Sequence, residues 1–377
     1  MFAAVAAAGF AVLAGWAAPA ASGQQARNPQ SEGFALTILD RLGDSGGPAD
    51  TSVSIGADGR ALISYYDGSK GDLKVAHCRN NACKGASTTV IDQVGDVGRW
   101  NSIAIGADGL GLVSFYDATN GDLKVAHCQN AACTDAQSTT IDTEGGPSSI
   151  AVGTDGLGLI AYEGSAGLRV AHCSDLDCST AAISIVDVVE GDPHPSIAIG
   201  TDGLGLISYA NRTEDNPRLD VAHCTDVACS TATIGTPVPA FLEPVTSITI
   251  GGDGLGLISA ADIDSNLAVT HCSDLACSTG TFSYLGIDLV RAASITTGAD
   301  GLGLVSTVKG DAQGLYVAHC LDVTCSSATS TSVDPSIFAA GHTSITVGVD
   351  TFPLITYYDD SDLKVAHCPS STCVPRR

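Results

Sequence analysis

The stretch DLKVAHCRNNAC at 72–83 sets an imidazole beside a thiol, with a second thiol four residues further on. Residues of these types could ligate a metal, supply a thiolate nucleophile or close a disulfide ring. The stretch recurs as LKVAHC at 123–128 and 363–368, LRVAHC at 168–173, LDVAHC at 219–224, LAVTHC at 267–272 and LYVAHC at 315–320. Each copy has its second cysteine at the same distance. The pairs are Cys78 with Cys83, Cys128 with Cys133, Cys173 with Cys178, Cys224 with Cys229, Cys272 with Cys277, Cys320 with Cys325 and Cys368 with Cys373, which use all fourteen cysteines. A catalytic thiol needs one activated copy beside a base, and seven equivalent copies argue against it. A zinc site wants about four ligands, and each copy offers three. Local pairs in even number, in an exported chain, read as disulfides. The expected job of each ring is to stiffen an exposed turn.

A second group of residues is less regular. Tyr66-Asp67, Tyr116-Asp117, Tyr162-Glu163, Asp262 and Tyr358-Asp359 follow short apolar runs. Paired carboxylates could serve glycoside hydrolysis as acid and base or nucleophile. The competing reading is that each Asp caps a turn through its own backbone. Outside the VAHC pattern stand two histidines, His194 and His342, with Arg99, Trp100 and Arg291. An exposed tryptophan beside polar groups suits sugar stacking; packed on a neighbour, it is plain core. The Asp-rich turns contain no complete calcium-binding loop of the Asp-x-Asp type with its later glycine and glutamate. No metal or other cofactor is expected.

The elements that must carry these residues repeat. The VAHC histidines fall at 77, 127, 172, 223, 271, 319 and 367, at spacings from 45 (127 to 172) to 51 (172 to 223) residues. Each unit begins with an alternating run such as SIAIG (102–106), then a turn that is usually Asp-Gly. LISYYD-like sequence, a second turn, LKVAHC and a Thr/Ser/Val/Ile run such as STTVID (87–92) follow. These are short β-branched runs bounded by turn residues, and Asp-Gly is a strong hairpin signal. No segment has a long 3.6-residue apolar period. The pattern predicts an all-β chain of four-stranded antiparallel propeller blades. The last unit lacks a fourth strand after Cys373, and FALTILD (34–40) resembles STTVID. The N-terminal strand is therefore expected to complete the seventh blade and close one seven-bladed ring over 34–373. Antiparallel pairing also predicts repeated hydrogen bonds between His77 and Asp58, His127 and Asp108, His172 and Asp155, His223 and Asp202, His271 and Asp253, His319 and Asp300, and His367 and Asp350.

The ISYYD…GDLK-A repeat resembles secreted bacterial seven-bladed propeller proteins over about residues 34–373, and more distantly the sialidase-like superfamily. The resemblance implies the propeller and an extracellular setting, without an assigned activity. The sialidase Asp-box, Ser-x-Asp-x-Gly-x-Thr-Trp, is absent here.

In a propeller the loops over the central channel carry ligand sites. Two positions before each Ser-Ile or Ser-Val, this ring reads Asp50, Trp100, Pro147, His194, Val245, Ala292 and His342. A net charge of −24 spread along the chain disfavours a nucleic-acid or anionic-membrane partner, since no basic stripe exists. Residues 1–21 read as a signal peptide, although without a basic n-region, and 22–33 as a flexible leader; 374–377 form a tail. The expectation is a secreted, periplasmic or cell-surface monomer that binds glycan or another extracellular polymer or protein without catalysis. The alternatives are a glycan hydrolase or lyase using rim carboxylates, and a structural or adhesion module.

Overall fold

The computed structural model describes residues 33–42, 50–189, 191, 193–213, 216–238, 242–310, 314–337, 342–359 and 362–375. The expected signal peptide, and the leader apart from Gly33, lie outside the described residues. Twenty-eight strands form seven four-stranded antiparallel sheets. Blade 1 is β2 (Thr51–Ile55), β3 (Ala61–Asp67), β4 (Asp72–Cys78) and β5 (Ala86–Asp92), in that order from channel to rim. Strands β3 and β4 are buried along their whole length, and β5 alternates toward solvent. The last blade is closed as the sequence predicts. Strand β1 (Ala35–Arg41) pairs with β28 (Asp362–His367), outside β27 (Pro353–Asp359) and β26 (Thr343–Val347).

The apolar core lies in the seams between blades. Leu62, Leu73 and Val75 of blade 1, for example, pack on Ile103, Val113, Phe115 and Ala126 of blade 2. All fourteen cysteines are bonded as expected. Cys78 joins Cys83, Cys128 joins Cys133, Cys173 joins Cys178, Cys224 joins Cys229, Cys272 joins Cys277, Cys320 joins Cys325 and Cys368 joins Cys373. The turns they brace are exposed in part, as expected, while the cysteines themselves are buried. The second cysteines, Cys83, Cys133, Cys178, Cys229, Cys277, Cys325 and Cys373, are as fully buried as the first. The turn between them is exposed in part, but each turn folds its second sulfur inward onto the apolar seam; Cys83 packs in the cluster of Ile63, Tyr65 and Leu354. The rings are thus part of the core as well as turn braces. They also explain the Gly-Leu-Gly-Leu runs. A Cβ on Gly205 would sit 2.8 Å from Cys224 Sγ and 3.0 Å from Leu159 Cδ2 of the preceding blade. Seven buried disulfides fit an oxidising compartment. No helix among the described residues is long and apolar enough to cross a membrane.

The inner strands leave one edge of N–H groups facing the next blade, and the serine of each Ser-Ile step satisfies one of them. Ile103 N–H donates to Ser52, Ile150 to Ser102, Ile197 to Ser149, Ile248 to Ser196, Ile295 to Ser247 and Ile345 to Ser294, at 3.1–3.4 Å. Val53 N–H donates to Ser344 at 3.2 Å and completes the circle. The seven expected His–Asp contacts are present at 2.7–3.0 Å. In each, one carboxylate oxygen caps its own turn and the other meets the imidazole, as where Asp58 Oδ1 accepts from Arg60 N–H.

A further device was not expected. A bulge near the end of the outer strand turns an aspartate toward the next blade; opposite Leu73-Lys74, the register skips from Asp92 to Val90. The aspartate there meets two cross-strand neighbours on the following blade. Asp40 holds Tyr65 and Lys74; Asp142 holds Tyr162 and Arg169; Asp334 holds Tyr357 and Lys364. Asp92 binds Lys124 alone, since Phe115 replaces the tyrosine, and Asp187 binds Tyr209. Ala260 with Ala268 and Thr307 with Tyr316 occupy the pair in blades 5 and 6, so those seams lack the latch.

These latches make stability acid-sensitive. Burial pushes the Asp334 carboxyl up, but the Ser336 and Tyr357 hydroxyls and Lys364 outweigh it and hold it below its ordinary 3.8; Asp40 is lowered in the same way. A depressed folded-state pKa contributes stability that is complete above the unfolded value and lost as pH falls through the folded one. The urea midpoint should therefore be flat near neutrality and drop below about pH 4. Asp334→Asn should cost about 2 kcal/mol at pH 7 and make the acid limb shallower. An unchanged acid limb in the variant would remove the latch from the account.

Candidate functional site

At the end of the channel where each inner strand begins, the seven strands frame a funnel of about 160 Å³. Asp50, Trp100, Pro147, His194, Val245 and His342 line it, as the spacing predicts. In blade 6 Ala292, the equivalent of Asp50, is buried and does not line it; Ala293 and Ser294, the equivalents of Thr51 and Ser52, do. Serines and threonines of the inner strands form the wall below.

Trp100 is put in place by irregular backbone. Its strand, β6 (Val97–Ile105), breaks register twice, between Val97 and Arg99 and between Arg99 and Ser102. Gly98 has φ 105°, and a Cβ there would lie 2.8 Å from Leu73 Cα, so no other residue fits without displacement. Trp100 itself has φ 49°, and His194, its counterpart two blades on, has φ 39°. Left-handed backbone at a non-glycine residue costs of order 1 kcal/mol and persists where surroundings over-determine it. For Trp100 those surroundings are visible. Its N–H donates to Asp50 Oδ2 at 2.8 Å, and the next side chain, Asn101, bonds Gly98 O at 2.9 Å and Ser64 Oγ at 2.6 Å. The indole contacts the Tyr116 ring at 5.2 Å between centroids, tilted by 39°, and meets the His194 ring edge-on at 6.2 Å.

Asp50 is the acidic member. It is 2% exposed, and beyond its bond to Trp100 N–H its Oδ1 makes no hydrogen bond among the described residues. The Nε2 of half-exposed His342 lies 3.3 Å from that oxygen. Below, the Asp50 carbonyl accepts from Tyr66 N–H at 3.1 Å and from Tyr358 Oη at 3.4 Å. Burial, with the Asp50, Asp67 and Asp40 carboxylates nearby, holds Tyr358 well above the ordinary tyrosine range, so its hydroxyl stays a donor. The arrangement offers a partly exposed aromatic surface, two imidazoles and one carboxylate around a polar-walled hollow.

Several other expected site residues are committed elsewhere. Tyr66 is buried, donates to Asp96 at 2.7 Å and is covered by the Arg99 guanidinium, which itself pairs with Asp96 at 2.5 Å. Asp67 accepts from Ser69, and Asp117 accepts from Thr119 N–H, Asn120 N–H and the Asn120 amide; both cap their turns. Tyr358 is buried between blades, with its hydroxyl on Tyr66 O at 2.9 Å. Asp359 pairs with Lys364. Glu163 is half-buried, with its N–H on Pro147 O at 3.0 Å, and Arg291 is exposed but does not line the funnel. The structure keeps Trp100, His194, His342 and, through its ring contact, Tyr116 at the mouth. It adds Asp50, which the position rule reaches, and Asn101, which carries no sequence signal.

No family model matches the chain, and no curated protein matches it. Solved structures do. The Hadza microbial sialidase Hz136 is 12% identical with a TM-score of 0.51, covering 89% of this chain and 66% of its own. NanB sialidase from Streptococcus pneumoniae, as a K499G mutant, is 11% identical at TM-score 0.51, covering 88% and 70%. An ulvan lyase of polysaccharide lyase family PL25, solved bound to GlcA(1-4)Rha3S, is 11% identical at TM-score 0.53, covering 87% and 92%. This chain thus spans about two thirds of the sialidases' length. At these identities the likeness establishes the propeller fold.

Proposed function

We propose that the protein is an extracellular carbohydrate-binding propeller whose ligand seats at the channel mouth against Trp100. The observation that carries this reading is the Trp100–Tyr116–His194 ring cluster, held by strained backbone over a polar hollow. A flat aromatic face with hydrogen-bonding groups around it suits the apolar face and hydroxyl rim of a sugar ring. That the fold is shared with structures named as sialidases and a polysaccharide lyase is consistent with a glycan ligand.

An enzyme is the second reading, favoured by the Asp50–His342 pair, in which a buried carboxylate could orient an imidazole base. Hydrolysis by two carboxylates needs a second such group, and among the described residues Asp50 is the only carboxylate in the lining. Binding requires nothing beyond the groups present.

The test is retention and product release on a broad glycan panel with the mature protein. Retention without cleavage is expected, weakened about 30-fold or more in Trp100→Ala, as for a central aromatic anchor worth about 2 kcal/mol. Thermal unfolding of the variant should stay near wild type. Retention that survives the substitution, or no retention at all, would overturn the proposal. Released product that disappears in His342→Ala would establish the enzyme instead.

A further inference from the structure

The charge around the funnel narrows the ligand further, given the binding reading above. We infer that the bound sugar carries an amine and not a carboxylate. Asp50 is a nine-tenths-buried carboxylate in the lining whose Oδ1 makes no hydrogen bond among the described residues, and the ring of His342, also in the lining, lies 3.3 Å from it. A ligand ammonium that displaces this ring supplies the missing charged donor, and a bond of that type is roughly twice as strong as a neutral one. An acidic sugar would meet the opposite field.

Among the described residues, no lysine or arginine lines the funnel. Of the chain's 17 basic residues, only Arg27, Arg376 and Arg377 lie outside the described residues. Among the described cations on this face, Arg99 pairs with Asp96, Lys309 with Asp288 and Lys364 with Asp334 and Asp359, while exposed Arg291 stands outside the lining. A uronate or sialate carboxylate needs a fixed guanidinium or ammonium to replace its water, and the described lining offers none. The net charge of −24 adds a long-range field of the same sign, attracting cationic oligomers and repelling anionic ones.

The experiment compares three oligosaccharide sets of matched length at neutral pH: glucosamine oligomers, their N-acetylated forms and uronic acid oligomers. The glucosamine set should bind about tenfold more tightly than the acetylated one, and the uronate set least. The preference should shrink in high salt, which screens partly buried charge pairs less than exposed ones but weakens the long-range field. In Asp50→Asn, whose amide oxygen can still accept from Trp100 N–H, the ratio of amine to acetylated affinity should fall to about one. Equal or tighter binding of the uronate set overturns the inference while leaving carbohydrate binding intact. An amine preference that persists in Asp50→Asn assigns it to the general field and overturns the role of Asp50. Absence of all three sets at any concentration, with no other glycan retained, fails the binding reading itself.

Discussion

Deletion of Ala35–Arg41 is expected to abolish the folded monomer. These residues are β1, the strand that joins the start of the described chain to its last blade. Three contributions leave together. The ladder to β28 is lost along six paired positions, from Ala35–His367 to Arg41–Asp362. The Asp40 latch to Tyr65 and Lys74 across the closing seam goes too. Phe34 and Leu42, buried at either end of the strand, lose the element that places them. Strand β28 then presents an unpaired edge, which is a template for association. Pairing partners more than 300 residues apart carries a loop-closure entropy of about 5 kcal/mol, so only the full set of contacts makes closure favourable. The loss should be comparable with the whole stability of a typical domain, roughly 5–15 kcal/mol. Size-exclusion chromatography and circular dichroism would show aggregate or expanded chain. A soluble monomer with an unfolding midpoint near wild type would mean that the ring closes without β1. Asp40→Asn, which keeps the strand and removes the charge, should instead give a folded monomer weakened by about 2 kcal/mol.

Removing the disulfides should have an effect of similar size. Each ring spans five positions, and by the chain-entropy account, whose mechanism is disputed, closing so small a loop contributes about 2 kcal/mol. Seven such contributions exceed the net stability of most domains, so the fully reduced chain is expected to be unfolded at 37 °C. Because all the sulfurs are buried, reduction should follow blade opening and be slow without denaturant. A backbone feature permits a sharper test. The second cysteine of every ring is left-handed, from φ 48° at Cys83 through 50° at Cys133, 51° at Cys277 and Cys325, 52° at Cys178 and 53° at Cys229 to 57° at Cys373. Without the cross-link, a non-glycine residue there meets left-handed strain of about 1 kcal/mol. Cys224→Ala with Cys229→Ala should lower stability by about 2–4 kcal/mol, the lost packing included. Cys224→Ala with Cys229→Gly should recover about 1 kcal/mol of that. Urea denaturation of the two double variants compares them directly. Equal midpoints would show that the bond does not hold the strained turn; a reduced wild-type chain with an unchanged midpoint would show that the rings do not stabilise the fold.

How much was legible follows from what repeats. The cysteine pairs, the strand runs and the Asp-Gly turns recur in register, so their roles could be read from any blade and checked on six others. Pairing was legible but burial was not, since Cys83 and its six counterparts sit in polar turn sequence and only the fold shows their sulfurs facing a seam. The His–Asp contacts were legible because antiparallel pairing sets Leu62 opposite His77, beside the turn that holds Asp58. The latch was hidden although all its parts repeat. Tyr65, Lys74 and the final Asp of STTVID look like ordinary strand residues until a bulge turns that Asp onto the next blade. The serine ring was hidden because its partner is an N–H on another blade, about 50 residues away along the chain. Tyr66, Asp67, Asp117 and Tyr358 stand at turns and so look like rim ligands in the sequence, yet the turns fold their carboxylates inward and the seams bury both tyrosines.

The amino-acid sequence by itself determined the blade, its number, the disulfide pairing and the closure of the ring, because these depend on local period, turn chemistry and counting. The position two before each Ser-Ile or Ser-Val step named most of the funnel residues, but only the tertiary structure decided how their side chains are presented. That choice depends on positive-φ backbone at Trp100 and His194 and on the double register break in β6, and backbone irregularity of this kind appears once and leaves no periodic trace. It also decided that Asp50, one position in a ring of seven, is buried with one oxygen bound by Trp100 N–H and the other 3.3 Å from the His342 ring, an arrangement set by packing rather than by order along the chain.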